Sequence, residues 1–320
     1  MKRGYDATRS WSLSAPLPRI VLFGDSITQG SFSCSGWGAA LQDRYQRRAD
    51  VLNRGFSGYN TRWARELLTL VRDSANATVL VTIFFGANDA SLPEHNLRQH
   101  VPLEEYMANI RIMVADIRAH CPRAEILIIS PPPVCESQRL EYQRHKFGSQ
   151  ATSVLERTNE NTGRYAAAAE RVAKEMSVPC LNLWAELQAI APDDGWHDFL
   201  SDGLHLSAAG SSAVGRLLIA KIDESFPALA VHGDTSGSFG NSGSRCEQLA
   251  HIGPWHDQID PNEHWTSFMV PASEGSIAGR VTEEDRAQTA TGISVGDTGG
   301  PCRAKQKSGL VDSHGGGYMD

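Results

Sequence analysis

The chain has 320 residues, of which 41% are hydrophobic and 21% charged, and its formal net charge is −7. Those figures fit a soluble globular protein able to bury one large core or two modest ones. The acidic balance, with no Lys/Arg cluster, excludes nucleic acid and anionic membrane as principal partners, and no apolar run is long enough to span a bilayer.

Residues 1–18 (MKRGYDATRSWSLSAPLP) carry early basic residues but no apolar h-region, so no secretory signal is expected from this N-terminal extension. The reading is cytoplasmic. An organellar presequence is the alternative, weakened by Asp6 and the lack of an amphipathic pattern. The stretch from Arg19 to Gly30, RIVLFGDSITQG, carries the most information. Ile20 to Phe23 suit a buried parallel strand, and Gly24 lets the chain turn sharply. Ser26 then sits where a strand hands over to a helix N-terminus, whose unpaired N–H groups favour negative charge. A serine there is either a helix cap or a nucleophile.

Further strand-like runs are Val51–Leu52, Val79 to Phe85, Glu125 to Ser130 and Val178 to Leu183. Helical patterns separate them. Trp37 to Arg48 and Thr61 to Val71 are short candidates. Leu103, Met107, Ile110, Val114 and Ile117 recur at steps of three and four behind Pro102, which predicts an amphipathic helix. Val154 to Met176 reads as a long helix. Leu206 to Phe226 reads as the last, with Ser207 as its cap. Strands alternating with helices predict an α/β fold with a parallel sheet, whose ligands bind beyond the carboxyl ends of the strands.

The residues after those strands are therefore the ones to weigh. NRGFSGYN follows the second strand and holds Gly58. GANDA follows the third and holds Asn88. SDGLH follows the fifth, with Asp202 and His205 three residues apart. Each alone has a plain reading: Gly58 as a turn glycine, Asn88 closing an Asx-turn, His205 as one surface histidine among eleven. Together they match a chemistry. A serine hydroxyl needs a base, which His205 supplies. The imidazole needs an acceptor on its other nitrogen, which Asp202 supplies. The N–H groups of Ser26 and Gly58 and the Asn88 amide are suitable donors to an oxyanion, with glycine leaving the backbone open to approach. Phe32 and Trp37, just past Ser26, are candidate pocket walls, with core packing as the alternative.

GDS, the Gly58 loop, GAND and DGLH resemble, in order and spacing over residues 19–230, the four sequence blocks of the SGNH hydrolases, also called GDSL esterases. RGFSGYNTRWA, FFGANDA, QHVPLEEYMANI, RTNENTGRYA and LSDGLHLSAAG resemble the branch of isoamyl acetate-hydrolysing esterases. The resemblance implies a flavodoxin-like three-layer α/β/α sandwich with about five parallel strands. It implies Ser26, Asp202 and His205 as catalytic residues, and Ser26, Gly58 and Asn88 as the oxyanion hole. The implied activity is hydrolysis of short-chain acyl esters of small alcohols through an acyl-enzyme. No cofactor is implied. The expected partner is a small-molecule ester, and homodimerisation is left open. The alternatives are a carbohydrate deacetylase or lysophospholipase of the same superfamily, or a non-catalytic small-ligand binder on this fold.

Past residue 230 the composition shifts. Residues 231–270 read as a Gly/Ser-rich insertion followed by a docking segment, PWHDQID, that loosely resembles the branch's C-terminal segment. Residues 271–320 read as a disordered tail. Within the tail, GISVG (292–296) fits the G-x-S-x-G elbow but lacks the flanking strand and helix, so it reads as a chance match. His251, His256, Asp257 and His264 cluster in sequence but match no standard zinc spacing, so no metal is expected. The six cysteines (Cys34, Cys121, Cys135, Cys180, Cys246 and Cys302) form no C-x-x-C pair and read as free thiols in a reducing compartment.

Overall fold

The computed structural model describes residues 17–73, 75–150 and 154–231. The Gly/Ser-rich insertion, the docking segment, the GISVG motif, the histidine cluster and the tail all lie outside the described residues, as does most of the N-terminal extension.

Among the described residues five strands, β1 (Arg19–Gly24), β2 (Asp50–Gly55), β3 (Thr78–Phe84), β4 (Glu125–Ile129) and β5 (Cys180–Leu181), form one sheet in the order β2-β1-β3-β4-β5. Every pair is parallel. The expected α/β class and five parallel strands are therefore observed. The order reverses direction at β1, which places a crevice at the carboxyl ends of β1 and its neighbours, where such sheets bind ligands.

Among the described residues ten α-helices accompany the strands: α1 (Ser26–Gln29), α2 (Trp37–Arg44), α3 (Thr61–Ala64), α4 (Leu68–Arg72), α5 (Pro93–Asn96), α6 (Leu103–His120), α7 (Glu136–Phe147), α8 (Asn159–Glu175), α9 (Leu183–Ile190) and α10 (Ala208–Ser225). Alternation along the buried strands splits the core in two. Ile20 and Leu22 of β1, Leu80 and Phe84 of β3, and Leu127 and Ile129 of β4 pack with Leu41 of α2 and Val214, Leu218 and Ile222 of α10. Val21, Phe23, Val81, Ile83, Ile126 and Ile128 face the opposite way, against α4, α6 and α8. Successive side chains of a strand point to opposite faces, so near-continuous Val/Ile/Leu runs are what a sheet covered on both sides requires.

Several boundaries differ from the sequence expectations. The helix expected over Val154 to Met176 begins only at Asn159, where the Thr158 hydroxyl accepts from Asn161 N at 3.2 Å. Thr61 to Val71 is broken by a 3₁₀ turn at Arg65–Leu67. Helix α2 stops at Arg44 rather than Arg48. Ser207 caps α10 as expected, its hydroxyl accepting from Gly210 N at 3.1 Å. Asp202 and His205 do not directly follow β5: α9 and a 3₁₀ helix over Pro192–Phe199 intervene.

Candidate active site

Ser26 is the first residue of α1, separated from the end of β1 by Asp25 alone. The cap of that helix is Asp25, whose Oδ1 accepts from Ile27 N at 3.0 Å. The serine hydroxyl is thus relieved of capping, which removes the plain reading of this residue. Its Oγ instead lies 3.0 Å from His205 Nε2. On the other side of the imidazole, His205 Nδ1 donates to Asp202 Oδ2 at 2.8 Å. Asp202 Oδ1 accepts from Leu204 N at 3.0 Å and from His205 N at 2.7 Å. Burial works to raise the Asp202 pKa, but the hydrogen bonds and charge of His205 and the Leu204 N–H outweigh it, so the carboxyl stays well below the usual carboxylate range.

The turn carrying Asp202 and His205 is closed on itself. Leu200 and Leu206 form an antiparallel bridge at its base, and Ser201 N donates to His205 O at 2.8 Å. At its tip Gly203 adopts φ +80°, and a Cβ there would stand 2.4 Å from Cys135 O. Glycine is required twice over, by conformation and by space. Gly203 O accepts from Cys135 N at 2.9 Å, which docks the turn on the start of α7.

Gly58 occupies the third position of a tight turn from Phe56 to Tyr59, with φ +75° and a Tyr59 N to Phe56 O bond of 3.2 Å. That position favours glycine in turns of the type II class. Two bonds hold this loop beside Ser26: Phe56 N to Gly24 O at 2.9 Å, and Ser57 N to Gln29 Oε1 at 2.8 Å. Asn88, buried after β3, donates from Nδ2 to Tyr59 O at 2.9 Å, so its amide abuts the same loop. The second Nδ2 proton remains for another acceptor. Among the described residues the N–H groups of Ser26 and Gly58 have no acceptor. Three donors of the kind an oxyanion needs are therefore carried by segments hydrogen-bonded to one another.

The two expected pocket walls part company. Phe32 is 40% exposed, whereas Trp37 is 1% exposed, packs against Phe84 and donates its indole N–H to Ile27 O at 3.2 Å. Trp37 is a core residue supporting α1 and not a pocket wall. The correction has a simple cause: at the start of α2 its large apolar ring is directed onto the sheet.

Sequence reasoning missed the charged groups behind the site. Arg139 of α7 donates from Nη1 to Asp202 Oδ2 at 3.2 Å and from Nε to Glu156 Oε1 at 2.7 Å. Glu156 Oε1 also accepts from Arg157 Nη1 at 3.0 Å. Arg157 is 2% exposed. Burial pulls its guanidinium down to about 10, partly offset by Glu156, so it remains a cation at neutral pH. The one signal available was an arginine directly ahead of a helix cap in RTNENTGRYA.

Two further buried acids flank the site. Burial pushes Asp25 up to about 6 and Asp89 up to about 7, against hydrogen bonds from Ile27 N to the first and from Thr61 to the second. Oδ2 of each has no partner among the described residues, which suits a neutral carboxyl. Between the ordinary value of 3.8 and these values the folded chain keeps protons that the unfolded chain has released. The contribution of these two acids to stability thus falls as pH rises through that window. Asp89→Asn is expected to flatten the decline in denaturant midpoint between about pH 4.5 and 7.5, because an amide does not titrate. An unchanged slope in urea titrations would refute the assignment.

Among the described residues no cluster of three or more His, Cys, Asp or Glu could hold a metal ion, and no helix is long and apolar enough to cross a membrane.

Residues 22–213 match the sequence profile of the GDSL-like lipase/acylhydrolase family. The chain is 48% identical over 204 residues to the isoamyl acetate-hydrolyzing esterase 1 homolog of Bos taurus, covering 62% of this chain and 78% of that one. It is 47% identical over 200 residues to a GDSL esterase/lipase of Arabidopsis thaliana, covering 62% and 82% respectively. Among solved structures, a lipase/acylhydrolase from Enterococcus faecalis superposes with a TM-score of 0.51 at 25% identity, over 65% of this chain and 96% of that chain.

Proposed function

We propose, from the premise that the chain belongs to the GDSL-like lipase/acylhydrolase family and is a carboxylic ester hydrolase, that it releases short acyl groups, acetate foremost, from esters of small alcohols. The observation that carries the mechanism is the 3.0 Å approach of Ser26 Oγ to an imidazole whose far nitrogen is held by a buried carboxylate. The choice of acyl group and alcohol is supported by similarity to proteins named for isoamyl acetate hydrolysis.

Ser26 Oγ attacks the ester carbonyl carbon while His205 Nε2 takes its proton. The negative charge that forms on the carbonyl oxygen is received by the N–H groups of Ser26 and Gly58 and by Asn88 Nδ2. Collapse expels the alkoxide, which His205 protonates, and leaves an acyl-enzyme on Ser26. Water then attacks the acyl carbon, His205 again acting as base, and the second collapse frees the acid and the serine. Asp202 keeps the imidazole in the tautomer with its proton on Nδ1, so that Nε2 can accept.

Hydrolysis of acetate esters of short alcohols should exceed that of acetylated sugars and lysolipids by at least about tenfold in kcat/KM, a margin within reach of apolar pocket fit. A preference for either of the other two would move the substrate class to a deacetylase or a lysophospholipase. A protein that binds these esters but turns none over would be a binder on this fold. Asn88→Ala is expected to lower kcat by about 10²- to 10³-fold with little change in KM, since the amide meets charge only in the transition state. A loss confined to KM would remove Asn88 from the oxyanion site.

A further inference from the structure

Two of the three donors proposed to receive the oxyanion stand on loops, Gly58 after β2 and Asn88 after β3, and each must be held in place. Asn88 is the weaker case. Its amide can rotate by half a turn at small steric cost, which would aim the carbonyl oxygen, rather than Nδ2, at the developing negative charge. Something must fix which end faces the reaction. Asn88 Oδ1 accepts from Arg157 Nη2 at 3.1 Å. Rotating the amide would set its NH₂ against the guanidinium, donor facing donor, and its oxygen against Tyr59 O, acceptor facing acceptor, so the arginine and that carbonyl together fix one orientation.

The same Nη2 donates to Gln99 Oε1 at 2.5 Å. Gln99 in turn donates from Nε2 to Gly58 O at 3.1 Å, and its backbone carbonyl accepts from Asn60 Nδ2 at 2.9 Å. The Gly58 turn is therefore gripped through Gln99 by the group that orients Asn88. Arg157 itself cannot drift. Nε donates to Ala87 O at 2.9 Å, Nη1 donates to Glu156, and Glu156 is bridged by Arg139 to Asp202. A planar fork with several fixed donors can satisfy these acceptors together, and a point charge cannot.

We propose that Arg157 is a positioning residue whose single buried guanidinium sets both loop-borne oxyanion donors, Asn88 directly and Gly58 through Gln99. The inference rests on the reading of Gly58 and Asn88 as oxyanion donors. Arg157 does not touch substrate. It holds two donor groups in register and is tied through Glu156 and Arg139 to the carboxylate that orients the base. A charge-only role would be met by lysine. A positioning role would not.

The test measures kcat and KM on a short acetate ester for Arg157→Lys, Gln99→Ala and Asn88→Ala, and for Arg157→Lys combined with Asn88→Ala. Circular dichroism and thermal unfolding verify the fold. Arg157→Lys is expected to lower kcat by about 10²-fold while KM moves less than about threefold, because only transition-state stabilisation is lost. In the Asn88→Ala background the same change should cost less than about tenfold, since part of what Arg157 orients is already gone. Gln99→Ala, which leaves the arginine in place, should lower kcat by about tenfold and keeps the proposal testable if Arg157→Lys does not fold. A folded Arg157→Lys with unchanged kcat, equal losses in both backgrounds, or an unaffected Gln99→Ala would each overturn it. Labelling of the unmodified protein by an organophosphonate separates this from the functional reading. Absence of a Ser26 adduct there would sink the esterase mechanism itself, whereas an adduct with unaffected variants would sink only the role of Arg157.

Discussion

Ser26→Ala is expected to lower kcat by about 10⁵- to 10⁶-fold while leaving KM and the folded state nearly unchanged, as losses of an activated nucleophile do. The small effect on stability follows from local bonding. Asp25, not Ser26, caps α1, and among the described residues the Ser26 hydroxyl pairs only with His205 Nε2. Alanine is also a good helix former, so the first turn of α1 should tolerate it. The measurement is turnover of a short acetate ester by both proteins, with mass spectrometry after exposure to an organophosphonate. The unmodified chain should gain one adduct on Ser26 and the variant none. Comparable turnover in the two would remove Ser26 from the chemistry.

Asp202→Asn is expected to lower kcat by about 10⁴-fold, the second largest effect, and through a specific inversion of hydrogen bonds. Asp202 Oδ1 accepts from two backbone N–H groups, and Oδ2 accepts from His205 Nδ1 and Arg139 Nη1. In an asparagine the oxygen must stay on the backbone side, since an NH₂ there would face two donors. The NH₂ then points at His205 Nδ1 and at Arg139. That forces the imidazole to accept on Nδ1 and to carry its proton on Nε2, so Nε2 cannot take the proton of Ser26. The amide would also face the Arg139 guanidinium with no acceptor to offer. Steady-state rates of the variant decide the matter, and a fall of less than about tenfold would show that the carboxylate has little part in setting the tautomer.

The sheet was legible in the sequence because its central strands are buried on both faces and leave unbroken apolar runs, as in Ile20 to Phe23 and Val79 to Phe85. Helix α6 was legible for the complementary reason: one face alone is buried, so its apolar residues recur at helical spacing. Strand β5 is two residues long and lies inside the apolar run Val178 to Leu183, so its presence was legible and its extent was not. Asp202 and His205 come after it in the chain, as the motif order implies, but α9 and a 3₁₀ helix intervene, since motif order does not record distance from a strand.

The residues proposed for catalysis stand in short motifs with fixed neighbours, and for that reason a sequence can announce them. Their supports do not. Arg139, Glu156 and Arg157 lie on α7 and ahead of α8, and they reach Asp202, Asn88 and Gln99 across separations of tens of residues. Apart from the place of Arg157 just ahead of a helix cap, nothing local distinguishes them from surface charges. Trp37, open in the sequence between pocket wall and core packing, is settled by burial in favour of the core. Its nearness to Ser26 in sequence suggested the pocket, whereas its size and apolarity sent it under the helix.

The closed turn that carries Asp202 and His205 has a consequence for motion. Imidazole and carboxylate share one backbone span whose N–H groups bind that same carboxylate, so a displacement of the turn carries both as a single cassette and spares their alignment. What varies is one coordinate, the gap between cassette and serine. Gly203 O bonded to Cys135 N, and Arg139 paired with Asp202, fasten the cassette to the start of α7, so contacts outside the reacting atoms bear on the separation of the proposed base and nucleophile.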